Sequence, residues 1–570
     1  MSNSSVPAWA GGLAGLVSGG VALGVAQLVA GAVGPSSFPV VAVGDTAIDA
    51  APAPLKDFAI RTFGENDKAV LVGGVLVVLA AVAAAIGVLA RRRPGLGIAG
   101  FAVFGVIGAL AVLTRPGAGA VDPLPTVLGA LAGVWALRWL LGRATTAVPA
   151  LAPDRAPDRA PDRAPDRAPD RAPDRAPDRA PEPAVVRGGA ADGRREAPAG
   201  EPERPAVMRP GGTVAEFDRR RLLTGVAGGV AVAGAATLLG RQLGGRQAVD
   251  AARAGVALPR PATPARPLPA GLDFKIPGLT PFVTPNSDFY RVDTAIVVPQ
   301  VDPRDWTLRI HGLVDRPIEL TYAELLKRPL TEADVTLTCV SNEVGGPYAG
   351  NARWLGARMA DVLREAGLRS DADMLLSTSA DGFTCGTPVD VVMDGRDALF
   401  AIAMNGEPLP VDHGFPVRQV VPGLYGYVSA TKWVVDIKVT RFDTDVAYWT
   451  PRGWAEKGPI KTQSRIDVPG SGDKVRAGRT TIAGVAWAQH TGIDAVEVRV
   501  DGGQWRVAKL AEVPGPDTWR QWSIDWDATP GEHTIQVRAT DAAGRTQTEQ
   551  QAPPAPDGAT GYHTITVRVS

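Results

Sequence analysis

Long uninterrupted runs of apolar residues dominate the first quarter of the chain and predict membrane helices. Four such runs precede residue 144, at residues 8–33, 69–90, 95–114 and 124–141. A helix needs about 20 residues to cross the hydrocarbon core of a bilayer, and the four runs reach or approach that length. The pattern predicts a four-helix transmembrane region over residues 1–143, in which Arg138 would extend its side chain to the membrane surface.

A fifth apolar run, residues 222–240, directly follows three arginines at 219–221. Basic residues beside a span stay in the cytoplasm, so a fifth transmembrane helix is predicted over residues 219–241, with the following chain outside. The arginines also resemble the start of a twin-arginine export signal, and a plain start-transfer anchor is the alternative. The same orientation, with a cytoplasmic N-terminus, follows from the arginines at 91–93 and 143 and from the carboxylate-rich loop after the first run.

A low-complexity segment separates the four-helix region from the fifth helix. The tetrapeptide Ala-Pro-Asp-Arg occurs seven times in succession over residues 152–179. Proline at every fourth position blocks helix formation and favours extended, polyproline-like chain. The sequence therefore predicts a disordered, Pro/Ala/Asp/Arg-rich linker over residues 144–218, on the cytoplasmic side.

The second half of the chain shows the two-residue alternation of apolar and polar positions that is typical of β-strands. Residues 335–339 and 433–439 follow this pattern, with a stretch of helical periodicity at 357–366 between them. Further along, residues 496–500, 535–539 and 565–569 alternate in the same way. Roughly seven short strands in about 110 residues favour an immunoglobulin-like sandwich. The predicted fold class is α+β, preceded by transmembrane helices.

Composition excludes several functional classes. The 59 basic residues balance 59 acidic ones, which argues against a nucleic-acid partner, because a binder needs a basic face. Two cysteines are too few for a disulfide-rich scaffold, a four-cysteine zinc site or a four-cysteine iron–sulfur cluster. All five histidines follow residue 310, so the apolar runs lack the usual ligands of a membrane haem.

Cys339 is the first candidate for chemistry, since it ends a predicted strand and begins the loop Val-Ser-Asn-Glu-Val-Gly-Gly. A thiolate there could bind a soft metal ion or act as a nucleophile. Two alternatives are a buried, inert thiol and a disulfide with Cys385 outside the cytoplasm.

A second group of candidates lies on loops rich in glycine and proline. Residues 404–410 read Met-Asn-Gly-Glu-Pro-Leu-Pro, and residues 413–418 read His-Gly-Phe-Pro-Val-Arg. His413, Arg418 and the later Lys432 would form a cationic pocket suited to an anionic cofactor, unless they are merely solvated loop charges. A third element, residues 284–294, is uninformative by itself.

Together, in this order and at these separations, the three elements resemble the sulfite oxidase family of molybdenum enzymes over about residues 282–570. The resemblance implies a molybdopterin-binding oxidoreductase domain over residues 271–445 and an immunoglobulin-like, dimerisation-type domain over residues 446–570. It also implies one molybdenum held by one molybdopterin, with the Cys339 thiolate as the protein's ligand to the metal. Cys339, Asn342 and Arg418 are the implied catalytic residues.

The resemblance further implies a set of cofactor contacts, transferred residue by residue. They are Tyr290, Arg291, Val292, Asp293, Thr294, Asp381, His413, Arg418, Ala430, Thr431 and Lys432. Arginine and lysine suit a pterin that carries a phosphate.

Two departures from the family pattern concern the substrate. Asp293-Thr294 stands where animal members have Asn-His, and Glu343 stands where sulfite-binding members have arginine. A carboxylate near the metal would repel sulfite, so a neutral sulfoxide, or a different oxyanion held elsewhere, remains an alternative substrate.

The resulting hypothesis is an oxidoreductase anchored in the cell membrane by several spans, with its catalytic domain outside the cytoplasm. It would transfer an oxygen atom to or from a small sulfur-containing or related molecule and exchange electrons with a separate protein. One alternative is a cofactor-free binding module on the same scaffold. Another is a membrane-integral reductase whose spans bind quinone or a haem-bearing subunit, and a homodimer is a further expectation from the family.

Overall fold

The computed structural model describes residues 6–34, 37–51, 62, 67–114, 118–149, 213–243 and 246–570. The tetrapeptide repeats and most of the predicted linker lie outside the described residues. The described part of the N-terminal half contains the helices α1 (Ala8–Val33), α2 (Pro39–Ala50), α3 (Asp67–Ala90), α4 (Pro94–Leu113), α5 (Leu124–Arg143) and α6 (Arg219–Leu243).

Five of these helices, all except α2, are long and apolar enough to cross a membrane, which confirms the five predicted apolar segments. The short helix α2 lies in the stretch that the apolar pattern left as a loop between the first two spans. A proline at its first position suits a helix N-terminus, because proline has no N–H to satisfy there.

Glycines allow α1 to pack closely against its neighbours. A Cβ atom added to Gly87 of α3 would lie 2.1 Å from the carbonyl oxygen of Gly11, and one added to Gly240 of α6 would lie 2.4 Å from that of Gln27. Small residues let membrane helices approach backbone to backbone. The high glycine content of the first apolar run therefore follows from the position of α1 against α3, α5 and α6.

The two ends of the predicted disordered linker are ordered, contrary to the expectation for residues 144–218. Strand β1 (Thr145–Pro149) pairs antiparallel with β2 (Thr213–Phe217). Both segments contain the β-branched residues that favour strands, unlike the repeats between them. The ribbon places the start of α6 beside the end of α5.

The following domain begins with a short helix, α7 (Arg246–Ala254), and contains two five-stranded sheets. One sheet has the order β10-β9-β6-β5 with β11 also paired to β9, and the other has the order β4-β3-β12-β7-β8. Its strands are β3 (Thr307–Gly312), β4 (Ile318–Thr321), β5 (Leu330–Thr338), β6 (Ala349–Arg358), β7 (Met374–Ser379), β8 (Thr384–Pro388), β9 (Leu399–Met404), β10 (Glu407–Pro408), β11 (Arg418–Val420) and β12 (Val434–Thr440). Its remaining helices are α8 (Tyr322–Leu326), α9 (Met359–Ala366) and α10 (Val389–Met393).

The C-terminal domain is a sandwich of a four-stranded and a five-stranded sheet, with orders β13-β15-β19-β18 and β14-β21-β20-β16-β17. Its strands are β13 (Gln463–Val468), β14 (Lys474–Val475), β15 (Gly478–Trp487), β16 (Ile493–Val500), β17 (Arg506–Val507), β18 (Lys509–Leu510), β19 (Arg520–Ala528), β20 (Gly531–Asp541) and β21 (His563–Val569). The three alternating segments predicted here fall in β16, β20 and β21, which are neighbours in one sheet. The predicted α+β class with a C-terminal sandwich is confirmed.

The sandwich supports the strand that leads to Cys339. Trp519 donates its backbone N–H to the hydroxyl of Thr336 at 2.8 Å, and Gln489 donates its amide to the hydroxyl of Thr338 at 2.9 Å. Both threonines are buried, so β5 is covered on both faces. The end of β5 is consequently held by two domains.

Candidate functional site

Cys339 lies where β5 ends and the loop to β6 begins. Its backbone N–H donates to the carbonyl oxygen of Tyr348 at 2.9 Å. The side-chain oxygen of Asn342 accepts the backbone N–H of Tyr348 at 2.8 Å. Asn342, expected to be catalytic, is thus placed where it closes the Cys339 loop, and Glu343 beside it is exposed.

The Cys339 thiol is buried and unpaired, as is that of Cys385. Both thiols are free in the structure, so the alternative of a disulfide between them is wrong. Cys339 follows β5 of one sheet, and Cys385 lies in β8 of the other. Burial raises the pKa of the Cys339 thiol, although hydrogen bonds from Ser341 and the charge of Lys432 oppose this shift. A buried thiol of this kind becomes a thiolate readily only when a cation or metal ion compensates it.

The loop that precedes β3 packs against the loop that follows β9. His413 Nε2 lies 3.2 Å from the carbonyl oxygen of Asn286, and the Asn405 amide donates to Asn286 Oδ1 at 2.8 Å. The ring of Phe289 meets that of His413 edge-on, with centroids 5.7 Å apart. Two segments more than 100 residues apart in sequence therefore form one wall of the site.

Asp293 is the centre of a buried charge cluster and is only 5% exposed. Its carboxylate accepts hydrogen bonds from Lys432 at 3.0 Å, Arg291 at 2.9 Å and Lys68 at 2.6 Å. Burial alone would raise the pKa of Asp293, but the charges of Lys432, Lys68 and Arg291 outweigh it and hold this pKa well below its usual range. Asp293 is therefore a carboxylate that orders cations.

Arg418 and His413 retain unsatisfied polar atoms. Within the described part of the chain, Arg418 Nε and His413 Nδ1 are buried without a hydrogen-bond partner. Burial lowers the pKa of Arg418 to about 10, and burial together with Lys432 and Arg418 lowers that of His413 to about 4. Buried polar atoms normally have partners, so Arg418 is arranged for a ligand that accepts a hydrogen bond. His413 Nε2 faces the carbonyl oxygen of Asn286 and donates to it, so Nδ1 of the neutral ring is an acceptor for a donor group of a ligand.

Lys432 completes the cationic side of the site. It is 9% exposed, and burial lowers its pKa to about 8 although Asp293 opposes the shift. Gly414, with φ of +111°, lets the His413 turn approach it: a Cβ atom there would lie 3.2 Å from Lys432 Cα. Trp433 has a left-handed φ of 48°, which is rare for a bulky residue and is found chiefly at functional positions.

The other expected cofactor contacts occupy different positions. Thr294 donates its hydroxyl to Asp381 at 3.4 Å, so these two residues lie together. The hydroxyl of Thr431 pairs with Ser377 at 2.7 Å inside the protein, and Ala430 packs among apolar side chains directly before it. Val292 is 44% exposed.

A cavity of about 510 Å³ opens between residues 286–291 and the turn that contains Pro410, Asp412 and His413. Cys339 does not line it, but Tyr290 does, and the Cys339 charge acts on the pKa of Tyr290, which is raised chiefly by burial. Among the described residues, no group of three or more His, Cys, Asp or Glu side chains could hold a metal ion. One thiol, unsatisfied buried cations and a cavity of this size fit a metal that is carried by an anionic organic cofactor.

Sequence reasoning missed three contributors to the site. Arg418 stacks over the ring of Trp354 with its guanidinium carbon 5.0 Å from the centroid. The carbonyl oxygen of Asp412 accepts a hydrogen bond from Lys432 at 3.0 Å. Lys68 reaches Asp293 from 225 positions away in the sequence, and no local pattern marks it.

Comparisons with known proteins agree with these features. Residues 295–449 match the family model described as oxidoreductase molybdopterin binding domain, and residues 463–537 match the one described as bacterial Ig domain. Sulfite oxidase of Gallus gallus is 30% identical over 321 residues, which cover 48% of this chain and 69% of that protein.

Two further relatives are covered less fully. Mitochondrial sulfite oxidase of Homo sapiens is 31% identical over 321 residues, covering 48% of this chain and 58% of that protein. Nitrate reductase [NADH] 1 of Oryza sativa subsp. japonica is 30% identical over 333 residues, covering 47% of this chain and 36% of that protein. The chain therefore spans less than two thirds of the human protein.

Proposed function

Since the chain belongs to the sulfite oxidase family of molybdopterin-binding oxidoreductases, we propose that it is a membrane-anchored enzyme that transfers an oxygen atom to or from a small molecule. The observation that carries this proposal is the free, buried thiol of Cys339, on which the charge of Lys432 acts, together with the buried cation Arg418. When bound, one molybdenum held by one molybdopterin supplies the two-electron oxygen transfer.

The protein's own groups have separable roles in this proposal. The Cys339 thiolate is the ligand to the metal. Arg418 and Lys432 bind the anionic part of the pterin, because both are buried cations and Arg418 Nε has no hydrogen-bond partner among the described residues. His413 would accept a hydrogen bond from the pterin at Nδ1. The loop 290–294 encloses the pterin, with Asp293 ordering the cations around it. Ala430 and Thr431 would contribute through their backbone groups. Asp381 would contribute by positioning Thr294, which donates its hydroxyl to it.

Charge near Cys339 bears on the substrate. Glu343 is exposed on the loop that begins at Cys339, and a carboxylate there disfavours the approach of an anion such as sulfite. We therefore favour a neutral sulfur–oxygen compound, such as a sulfoxide, over sulfite. Electrons would pass to or from a separate carrier protein or membrane subunit, since all five histidines lie outside the apolar segments.

The catalytic domain is proposed to lie outside the cytoplasm. The arginines at 91–93, at 143 and at 219–221 adjoin the ends of α3, α5 and α6 that the positive-inside rule assigns to the cytoplasm. Lys68, at the opposite end of α3, contacts Asp293 of the catalytic domain, which agrees with this orientation. A homodimer formed through the C-terminal sandwich remains an expectation from the family.

Metal and pterin analysis of the full chain tests the function. The chain is produced in a host that synthesises molybdopterin, purified in detergent, and compared with Cys339→Ser and with the matched control Cys385→Ser. Cys385 is also buried, and its sulfur lies 3.8 Å from the hydroxyl of Thr387, where a serine hydroxyl would also find a partner.

We expect near-stoichiometric molybdenum and pterin in the parent chain. Cys339→Ser should lower oxygen-transfer activity by more than about 100-fold, because it removes a ligand to the metal, whereas Cys385→Ser should keep both metal and activity. A folded protein without molybdenum and pterin from a cofactor-competent host would contradict the proposal and favour the cofactor-free binding module.

A further inference from the structure

The helices α1–α6, here called the membrane region, contact the catalytic domain directly through a lysine at the beginning of α3. Lys68 Nζ donates to the Asp293 carboxylate at 2.6 Å, to the Asp293 carbonyl oxygen at 2.7 Å and to the Ala295 carbonyl oxygen at 2.8 Å. An ammonium group has three N–H donors, and these three oxygens suffice to use all of them. The Lys68 side chain is 26% exposed, so the contact is partly shielded from water.

A second contact lies beside the first. A Cβ atom added to Gly44 of α2 would be 2.8 Å from the Cδ1 atom of Ile296. Helix α2 therefore packs against Ile296, which directly follows Ala295, one of the two residues that Lys68 contacts. The short helix and the first turn of α3 together cover the stretch 293–296.

The residue that Lys68 holds is the one that orders the cofactor-facing cations. Asp293 Oδ2 accepts from both Lys432 and Arg291, and Oδ1 accepts from Lys68. Two of the three Lys68 bonds go to backbone carbonyl groups, so they fix the path of the loop as well as the carboxylate. Charge-assisted hydrogen bonds in a partly desolvated contact are the strong ones.

We propose that Lys68 is a positioning residue of the cofactor site, and that the membrane region fixes the 290–295 loop, of which residues 290 and 291 line the cavity. The membrane region is then a structural part of the active site as well as an anchor. This inference rests on the proposed function, because it assigns the loop to the pterin. In chemical terms, the Lys68 ammonium group neutralises Asp293, and Lys432 and Arg291 are then held in position for an anionic ligand.

The first test measures pterin retention in the full chain in detergent. Lys68→Met removes the charge and the three hydrogen bonds, Lys68→Arg keeps a cation, and Lys327→Met makes the same substitution at an exposed lysine of the catalytic domain. Pterin released during gel filtration in buffers of rising salt concentration is quantified by fluorescence. Lys68→Met should lose pterin about tenfold faster than the parent, Lys68→Arg should largely restore retention, and Lys327→Met should match the parent.

The second test is independent of the cofactor. The pair Gly44→Cys and Ile296→Cys should form a disulfide under mild oxidation in cofactor-free protein, and either substitution alone should not. The same pair introduced into Lys68→Met should restore pterin retention after oxidation, because a covalent link then replaces the lysine in holding the loop. This rescue separates positioning from direct binding of the pterin by Lys68, which a disulfide could not replace.

The outcomes separate this inference from the proposed function. A folded chain that forms no Gly44→Cys/Ile296→Cys disulfide overturns the docking of the membrane region. Disulfide formation combined with equal pterin loss in Lys68→Met and the parent overturns the positioning role. If no variant binds pterin in a competent host, the proposed function fails and the inference fails with it, even where the disulfide shows that the docking contact exists. Should Lys68→Met not fold, Lys68→Gln, which also removes the charge and is too short to make all three Nζ hydrogen bonds, gives the same comparison.

Discussion

The buried pair of Asp293 and Lys432 gives a prediction whose size can be worked out from the structure. Lys432 Nζ lies 3.0 Å from Asp293 Oδ2, and the two side chains are 9% and 5% exposed. Removing one partner of a buried ion pair leaves an uncompensated charge, at a cost of about 3–5 kcal/mol. In Asp293→Asn, Lys432, Arg291 and Lys68 all lose their shared carboxylate, so we expect about 3 kcal/mol of destabilisation in cofactor-free protein.

Lys432→Met should cost less, about 1–2 kcal/mol, because Asp293 keeps hydrogen bonds from Arg291 and Lys68. In the double variant, loss of the Asp293 carboxylate no longer leaves the Lys432 charge uncompensated. The destabilisation of the double variant should therefore be about 1–2 kcal/mol smaller than the sum of the two single destabilisations. The order of the two single costs follows from the number of cations that share one carboxylate.

The assay is thermal unfolding of the full chain in detergent, followed by tryptophan fluorescence, with protein from a host that makes no molybdopterin. At roughly 2–4 °C per kcal/mol for a domain of this size, Asp293→Asn should lower the midpoint by about 6–12 °C. Thr444→Val, at an exposed position of the same domain, serves as the control. Additive single costs, or a larger loss in Lys432→Met than in Asp293→Asn, would refute the reasoning.

Two further predictions concern pH and topology. Burial lowers the pKa of His413 from 6.5 to about 4, so the unfolded chain takes up a proton that the folded chain does not. The stability of cofactor-free protein should fall as the pH drops from 6.5 to about 4, and His413→Gln should reduce this slope of the unfolding midpoint; an unchanged slope would contradict the assignment. For topology, a cysteine placed at the exposed Ser471 should react with a membrane-impermeant maleimide on intact cells, whereas one placed at the exposed Arg92 should react only after lysis. The reverse pattern would place the catalytic domain in the cytoplasm.

Much of the architecture is encoded in patterns that span only a few residues. An apolar run of membrane length must satisfy its own backbone hydrogen bonds and therefore forms a helix, which is why the five segments were recognisable. Strands β16, β20 and β21 were recognisable because one face of each is buried and the other is not. Successive residues of a strand point to opposite faces, so apolar and polar residues alternate along the sequence. The Cys339 and 404–418 segments were recognisable as a family signature that is local in the chain.

Contacts between distant segments decided the rest, because no local periodicity records them. The threonines of β5 look like the solvent face of a strand, yet Gln489 and Trp519 of the sandwich bury them. Both cysteines were candidates for a disulfide, and only the folded structure shows that both thiols are free. Lys68 resembles an ordinary charge at the end of a membrane span, and only the packing of α2 and α3 on the catalytic domain brings it to Asp293. The sequence alone thus determined the five apolar helices, the alternating strands and the candidate cysteine. The tertiary structure determined which charges meet, since electrostatic contacts depend on distance in space and not on separation along the chain.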